Sequence, residues 1–333
     1  MAAPEIPSLW QSGSVMWTAI VDAARADNPA PAGRYAPSPT SDLHLGNLRT
    51  ALIAWLAARL DGLRFLLRIE DLDQARVHAA GDIARRQCDD LARLGLDWDD
   101  DPWVQSQRTE IYQAALDALE TYRCLCSRKD IATASQAPHG YYRPYPGTCA
   151  RLSAWEFEAK QQANPHRRPA IRVRAGQESK TICDLHAGSV TGTVDDFVVC
   201  RSDQVFAYNL AVVVDDGLSG VTQVVRGADL LESAPRQAWL ASQLGLAEPS
   251  YIHVSLVMNQ DGKRLAKRDG DTTLTDLRQQ GDATETIVAR LASSLGLPPA
   301  PSPQALLEMT RNEGIASSAD LGRVKEIWRP WIV

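Results

Sequence analysis

Short apolar strand patterns that alternate with helical ones constrain this chain most, because that order builds a parallel sheet with helices packed against it. Arg34-Tyr35-Ala36 is a short strand candidate. Leu48, Leu52, Ile53, Leu56, Ala57 and Leu60 recur at three- and four-residue spacing, so 46–60 reads as an amphipathic helix. Residues 64–69 form a compact apolar strand, followed by the acidic turn Glu70-Asp71-Leu72-Asp73. A helix carrying Ile83, Leu91 and Leu94 comes next, with Gly95 as its stop. The same alternation resumes at 207–216 and runs through 221–244, where Gly245 is the stop. Residues 120–200 break the rhythm with clustered Cys, Tyr, Pro and Gly and with β-rich runs at 170–174 and 196–200.

The expected fold is therefore α/β, a Rossmann-type parallel-sheet catalytic domain in two halves, 34–120 and 201–270. Residues 121–200 are expected to be an inserted zinc-bearing subdomain. Residues 1–33, with one helix near 15–25, read as an extension outside the main fold, and 271–333 as a short helical stem. A chain of 333 residues can bury a sizeable core and is expected to form two units. Its net charge of −6 gives no global pull toward nucleic acid, so any RNA contact must come from a local basic face. No apolar run has transmembrane length, and no basic start leads into an apolar core. The expectation is a cytoplasmic monomer with no membrane contact.

Two segments about 220 residues apart read as halves of one nucleotide site. The first, His44-Leu45-Gly46-Asn47, opens the helix at 46–60. A helix N-terminus presents unpaired N–H groups and partial positive charge to a phosphate. Gly46 lets a base or ribose approach, and His44 and Asn47 can donate to phosphate oxygens. The bland alternative is a turn with ordinary His and Asn caps. The second segment, Gly262-Lys263-Arg264-Leu265-Ala266-Lys267-Arg268-Asp269-Gly270, holds two of only six lysines. Lysine is a compact, movable charge suited to a triphosphate. The alternative there is a solvated basic loop.

Six cysteines in a chain with no secretory signal read as free thiols or metal ligands. Cys124, Cys126 and Cys149 suit a structural zinc, which needs a fourth ligand. His139 is the chemically ordinary choice, and three buried thiols without metal are the alternative. Cys88, Cys183 and Cys200 are isolated and read as core thiols.

At these residues the chain resembles the class I aminoacyl-tRNA synthetases of the glutamyl type. His44-Leu45-Gly46-Asn47 is similar to that family's H-I-G-H element, and Arg264-Leu265-Ala266-Lys267-Arg268 to its K-M-S-K-S element. Arg34-Tyr35-Ala36-Pro37-Ser38-Pro39-Thr40, Arg68-Ile69-Glu70-Asp71-Leu72-Asp73, the run Tyr208 to Asp216, and Val225-Arg226-Gly227-Ala228-Asp229-Leu230-Leu231 also match, in the family's order. Arg264 stands where the family usually has a lysine and Ala266 where it has a serine, so one loop hydroxyl is lost. About 60 residues follow Gly270, too few for the family's anticodon-binding region, and the chain looks like the truncated glutamyl-Q branch.

The resemblance implies Mg-ATP and L-glutamate as substrates, tRNA-independent activation, and transfer of glutamate to queuosine in the anticodon of tRNA(Asp). It implies His44, Gly46, Asn47 and Lys267 as catalytic residues, with His44, Asn47, Arg264 and Lys267 on ATP. It implies glutamate binding by Arg34, Tyr35, Ala36, Pro37, Ser38, Glu70, Tyr208 and Arg226. Physically, Arg34 and Arg226 could each fork onto a carboxylate and Glu70 could receive the ammonium. The alternatives are a cap or surface charge for Glu70 and an ion pair with Asp229 for Arg226. For zinc, the resemblance implies Tyr145 as the fourth ligand. Two other functions stay open: a degenerate synthetase charging a tRNA 3′ end, and a non-catalytic RNA-binding or zinc-regulatory protein.

Overall fold

The structure is a computed structural model that describes residues 9–27, 29–127, 129–131, 144–258 and 272–332. In chain order its strands are β1 (Ala32–Tyr35), β2 (Arg64–Ile69), β3 (Trp103–Val104), β4 (Thr121–Cys124), β5 (Ala170–Val173), β6 (Glu178–Asp184), β7 (Gly188–Val194), β8 (Val198–Cys200), β9 (Val221–Gly227), β10 (Ser250–Val254), β11 (Val257–Met258) and β12 (Trp331–Ile332). Seven form one sheet in the order β3-β2-β1-β9-β10-β6-β7. Every neighbouring pair in it is parallel except the β6–β7 hairpin. The expected parallel α/β architecture is the observed one. The chain leaves β1 toward β2 and β3, then returns to β1's other side at β9. Such a reversal leaves a crevice beyond the carboxyl ends of the two central strands.

Among the described residues the helices up to residue 243 are α1 (Leu9–Asp27), α2 (Leu45–Leu60), α3 (Gln74–Ala80), α4 (Ile83–Arg93), α5 (Thr109–Asp117), α6 (Ala154–Gln162), α7 (Tyr208–Leu218) and α8 (Ala234–Gln243), of which α2, α4 and α7 give residues to that crevice. Gly95 and Gly245 lie just past α4 and α8 with φ of 83° and 68°, the left-handed stops expected of them. Helix α2 departs from its amphipathic reading, since 12 of its 16 residues are buried. One side lies on β1 and β9, and the helices Thr284–Ser294 and Pro303–Asn312 cover the other. Leu48, Leu52, Leu56, Leu291 and Leu306 share one core there. A helix enclosed on all sides is apolar all round.

Arg49 is the exception inside that core, 1% exposed. Its guanidinium donates to the carbonyls of Ser255 (2.9 Å), Ser294 (3.2 Å), Glu326 (3.3 Å) and Ile327 (3.4 Å). Burial pulls its pKa down to about 10. One side chain thus ties α2 to the β10–β11 connection and to two places in the C-terminal layer.

Two expectations change at the periphery. Residues 9–27 pack onto the fold: Trp17 and Val21 are buried against α5 and α7, and Trp17 Nε1 donates to Leu244 O at 3.0 Å. Within 121–200, β4, β5 and β8 form a separate antiparallel sheet, but the β6–β7 hairpin extends the main one. Cys183 on that hairpin is exposed, not a core thiol, because β6 alternates and buries its neighbours Ile182 and Asp184. Cys200 is buried and Cys88 half-buried. Among the described residues no helix is long and apolar enough to cross a membrane.

Candidate active site

A cavity of about 450 Å³ opens at the switch point, beyond the ends of β1, β2 and β9. Arg34, Tyr35, Ala36, Pro37, Ser38, His44, Gly46, Asn47, Glu70, Tyr208 and Arg226 all line it. Arg264 and Lys267 lie outside the described residues. On either side of that segment, Val257 lines the cavity, and Thr272 O accepts from Leu45 N at 3.2 Å. Thr273 forms an antiparallel bridge with His44. The described residues that flank the second segment, Val257 on one side and Thr272 and Thr273 on the other, therefore lie beside the N-terminal end of α2.

His44 is the N-cap of α2. Its Nδ1 accepts from Gly46 N at 3.1 Å, and Asn47 Oδ1 accepts from His44 N at 3.3 Å, a reciprocal capping box. An accepting Nδ1 places the ring proton on Nε2. A Cβ at Gly46 would sit 3.0 Å from His44 Cε1 and 3.1 Å from its Nδ1, so a side chain there would press on the capping ring and push it by a few tenths of an ångström. His44 is an ordinary cap, as the bland reading has it, and it also lines the cavity. The preceding loop is held by Gln87 of α4, whose Nε2 donates to Ser38 O at 3.2 Å and Ser41 O at 2.7 Å.

The cavity floor is a buried network of charge. Arg34 donates to both Asp216 oxygens (3.3 and 3.4 Å) and to Val225 O (3.1 Å). Arg68 donates to Asp216 Oδ1 at 2.5 Å and to Glu70 Oε1 at 3.1 Å. Burial works to raise the Asp216 pKa, but Arg34 and Arg68 together outweigh it and hold that carboxyl below the usual range. At Glu70 the balance reverses, and burial keeps the carboxyl above its ordinary value despite Arg68 and Arg34. Asp215, fully buried, accepts from Gln105 (3.0 Å), Arg108 (2.8 Å) and Tyr112 (2.8 Å), fixing α7 beneath the floor.

Arg226 closes the opposite wall. It donates through Nε to His253 Nε2 (3.0 Å), through Nη1 to Gln237 Oε1 (2.5 Å) and through Nη2 to Leu230 O (3.3 Å). His253 Nδ1 in turn meets Asp184 Oδ2 at 2.7 Å. Burial holds His253 below the usual imidazole range, so it is neutral and donates from Nδ1. Neither His253 nor Gln237 carried any signal in the sequence. Arg68 and Asp216 stood inside matched motifs without an assigned role.

The cysteines converge apart from this cavity. Cys124, Cys126 and Cys149 place their sulfurs within 4.8 Å of one another. Tyr145 Oη lies 3.3 Å from Cys124 Sγ and 3.6 Å from Cys126 Sγ, and Cys126 and Cys149 sulfurs are 3.5 Å apart. A tetrahedral zinc with ordinary bond lengths needs edges of roughly 3.8 Å between sulfurs and 3.5 Å from sulfur to oxygen. The donor set fits. Lys160 Nζ, 3.5 Å from Cys149 Sγ, and the Arg172 guanidinium, 3.8 Å from the Tyr145 ring centre, supply compensating charge. His139, the other fourth-ligand candidate, lies outside the described residues.

Comparison with known proteins agrees with this geometry. The sequence profile for class I tRNA synthetases (E and Q), catalytic domain, matches residues 32–329. The glutamyl-Q tRNA(Asp) synthetase of Nocardia farcinica is 51% identical, across 92% of this chain and 96% of that one. The protein of the same name from Cutibacterium acnes is 52% identical, across 83% and 79%. The glutamate-tRNA synthetase structure from Elizabethkingia anophelis shares the fold, with a TM-score of 0.73 at 23% identity over 92% of this chain and 68% of that one. The chain belongs to the class I tRNA synthetases of the glutamyl and glutaminyl kind, a family of ligases, beside members named glutamyl-Q tRNA(Asp) synthetase.

Proposed function

We propose that this enzyme activates L-glutamate with ATP in the absence of RNA and transfers the glutamyl group to queuosine in the anticodon of tRNA(Asp). One observation carries the reading: a single cavity joins two partly used arginine forks, a buried carboxylate and a capped helix N-terminus. A guanidinium has five N–H donors. Arg34 and Arg226 each spend three on the protein, which leaves one on each terminal amine as a fork for a carboxylate. Glutamate brings two carboxylates, and Glu70 suits its ammonium. Tyr208, 37% exposed, walls the same space.

The N-terminus of α2 suits the phosphates of ATP, with donors from His44 and Asn47. Arg264 and Lys267 are assigned to the pyrophosphate. Magnesium accompanying ATP would offset charge on the phosphates. A carboxylate oxygen of glutamate attacks the α-phosphorus, and the bond to pyrophosphate breaks. No side chain need act as base, so the protein contributes position and charge. The acceptor group of queuosine then takes the acyl carbon and AMP leaves. Cys124, Cys126, Cys149 and Tyr145 are assigned to one structural zinc.

The names of the relatives at 51% and 52% identity support the acceptor assignment. Labelled glutamate offered with tRNA(Asp) carrying or lacking queuosine, and with tRNA(Glu), tests it. Label on queuosine-containing tRNA(Asp) alone is expected. Label at the 3′ end of tRNA(Glu), or equal labelling of both tRNA(Asp) forms, would overturn it. Absence of glutamate-dependent pyrophosphate exchange would point to the non-catalytic reading.

A further inference from the structure

A chain of buried groups runs from Arg226 away from the cavity. The three acceptors that hold the Arg226 guanidinium are all neutral: His253 Nε2 at 3.0 Å, Gln237 Oε1 at 2.5 Å and Leu230 O at 3.3 Å. Arg34, in the same cavity, is instead held by the Asp216 carboxylate. Behind Arg226 a carboxylate stands one ring further back. Asp184 Oδ2 accepts from His253 Nδ1 at 2.7 Å and from His253 N at 3.1 Å. Its Oδ1 accepts from His186 N at 2.9 Å and Ala187 N at 2.7 Å, in the turn between β6 and β7. Burial works to raise the Asp184 pKa, but the His253 bond and those turn amides outweigh it and hold the carboxyl below the usual range. Four N–H groups therefore fix a charged Asp184, at the residue pair, Tyr251 with Asp184, that registers β6 on β10. Tyr251 also stacks on the imidazole, with ring centres 5.7 Å apart and 17° between the planes. The place, plane and tautomer of His253 are thus all set from behind.

We propose that Asp184 and His253 are positioning residues for Arg226, which aim its fork at the substrate carboxylate without neutralising its charge. This rests on the glutamate pocket proposed above. A carboxylate set directly on Arg226 Nε would also orient the guanidinium, but it would offset the cation and compete with the substrate's anion. A neutral imidazole accepts the Nε–H and leaves the charge to the substrate. It can do so only while its proton is on Nδ1, because an Nε2–H would face the Arg226 Nε–H, donor against donor. Asp184 keeps the proton on Nδ1, so it acts through the tautomer. The β6–β7 hairpin thereby serves the amino-acid pocket, although none of its residues lines the cavity.

Two variants separate this role from a merely structural one. His253→Gln keeps an acceptor near the place of Nε2 and gives up the Asp184 bond, whereas His253→Asn keeps a donor near the place of Nδ1 and gives up the acceptor for Arg226. In glutamate-dependent pyrophosphate exchange with the full-length protein, His253→Asn should raise the glutamate KM at least about tenfold, with kcat and the ATP KM changed less than about twofold. His253→Gln should stay within about threefold of wild type. A residue that only fastens the hairpin predicts the reverse order, with His253→Gln the damaged variant. That order, or equal KM values in the two variants, would overturn the proposal. Nitrogen NMR of the wild type should find the His253 proton on Nδ1, and a proton on Nε2 would overturn it without any variant. Asp184→Asn should release the tautomer and raise the glutamate KM as His253→Asn does. A folded Asp184→Asn that keeps Nδ1–H and the wild-type KM would remove Asp184 from the relay. If the wild type shows no exchange, the proposed function falls, and the tautomer alone decides the relay.

Discussion

A lysine at position 226 would keep the charge and lose the fork. Arg226 serves His253, Gln237 and Leu230 with three differently directed N–H groups, which an ammonium on a flexible stem cannot reproduce. Arg226→Lys should raise the glutamate KM by about 10- to 100-fold, or roughly 1.5–3 kcal/mol, with the ATP KM little changed. An unaltered glutamate KM in pyrophosphate exchange would remove Arg226 from the pocket. Glu70 makes a pH-dependent case. Burial raises its pKa, so on lowering the pH it protonates before an ordinary glutamate does. The form that attracts an ammonium is then lost, and kcat/KM for glutamate should fall on an acid limb above the usual carboxyl range. Glu70→Gln should be weaker throughout and lack that limb. Arg226 and Glu70 were legible in the sequence because each sits in a dense local motif at a strand end. His253 and Gln237 were not, since their contact with Arg226 spans 27 and 11 residues and depends on a neighbouring strand and on α8, which no local spacing encodes.

Helix α1 was visible as a helix and misplaced as an appendage. Its apolar side is brief, and what it packs on, α5 and α7, is formed by sequence far away. Trp17→Ala should destabilise the protein by about 3–5 kcal/mol in denaturant unfolding, the range for truncating a buried large aromatic. A loss under about 1 kcal/mol would return α1 to the status of an extension. Helix α2 shows the converse error. Its three-and-four spacing was read correctly, but the second apolar face needed the C-terminal layer to explain it. The small sheet β4-β5-β8 carries a cysteine corner that forms a hydrophobic cluster separate from the main cores. Elemental analysis should find about one zinc per chain, and Cys149→Ser should lose it. Chelation should loosen this unit, seen as protease cleavage within 121–173, before the parallel sheet melts. A metal-free protein with an intact corner would refute the zinc assignment.

Across the whole molecule, the α/β class and the place of His44-Leu45-Gly46-Asn47 at a helix start were readable because strand–helix alternation and helix caps are local patterns. The β6–β7 hairpin's place in the main sheet was not, because it hangs on a lone register pair, Tyr251 with Asp184, distant in sequence. The Arg49 clamp belongs to this scale as well. Its cation is synthesised early, and its partner Ile327 O comes 278 residues later. At about 5–20 residues per second a ribosome needs roughly 14–56 s to cover that interval. Throughout that wait the flank of α2 that the C-terminal layer later covers stays open, with water in place of the late carbonyls around Arg49. Closure of the core around α2 is thus expected to wait for translation of the last residues. Ribosome-stalled chains halted before residue 327 should remain cleavable at α2, whereas released chains resist; resistance in the stalled chains would show that α2 settles without its late partners.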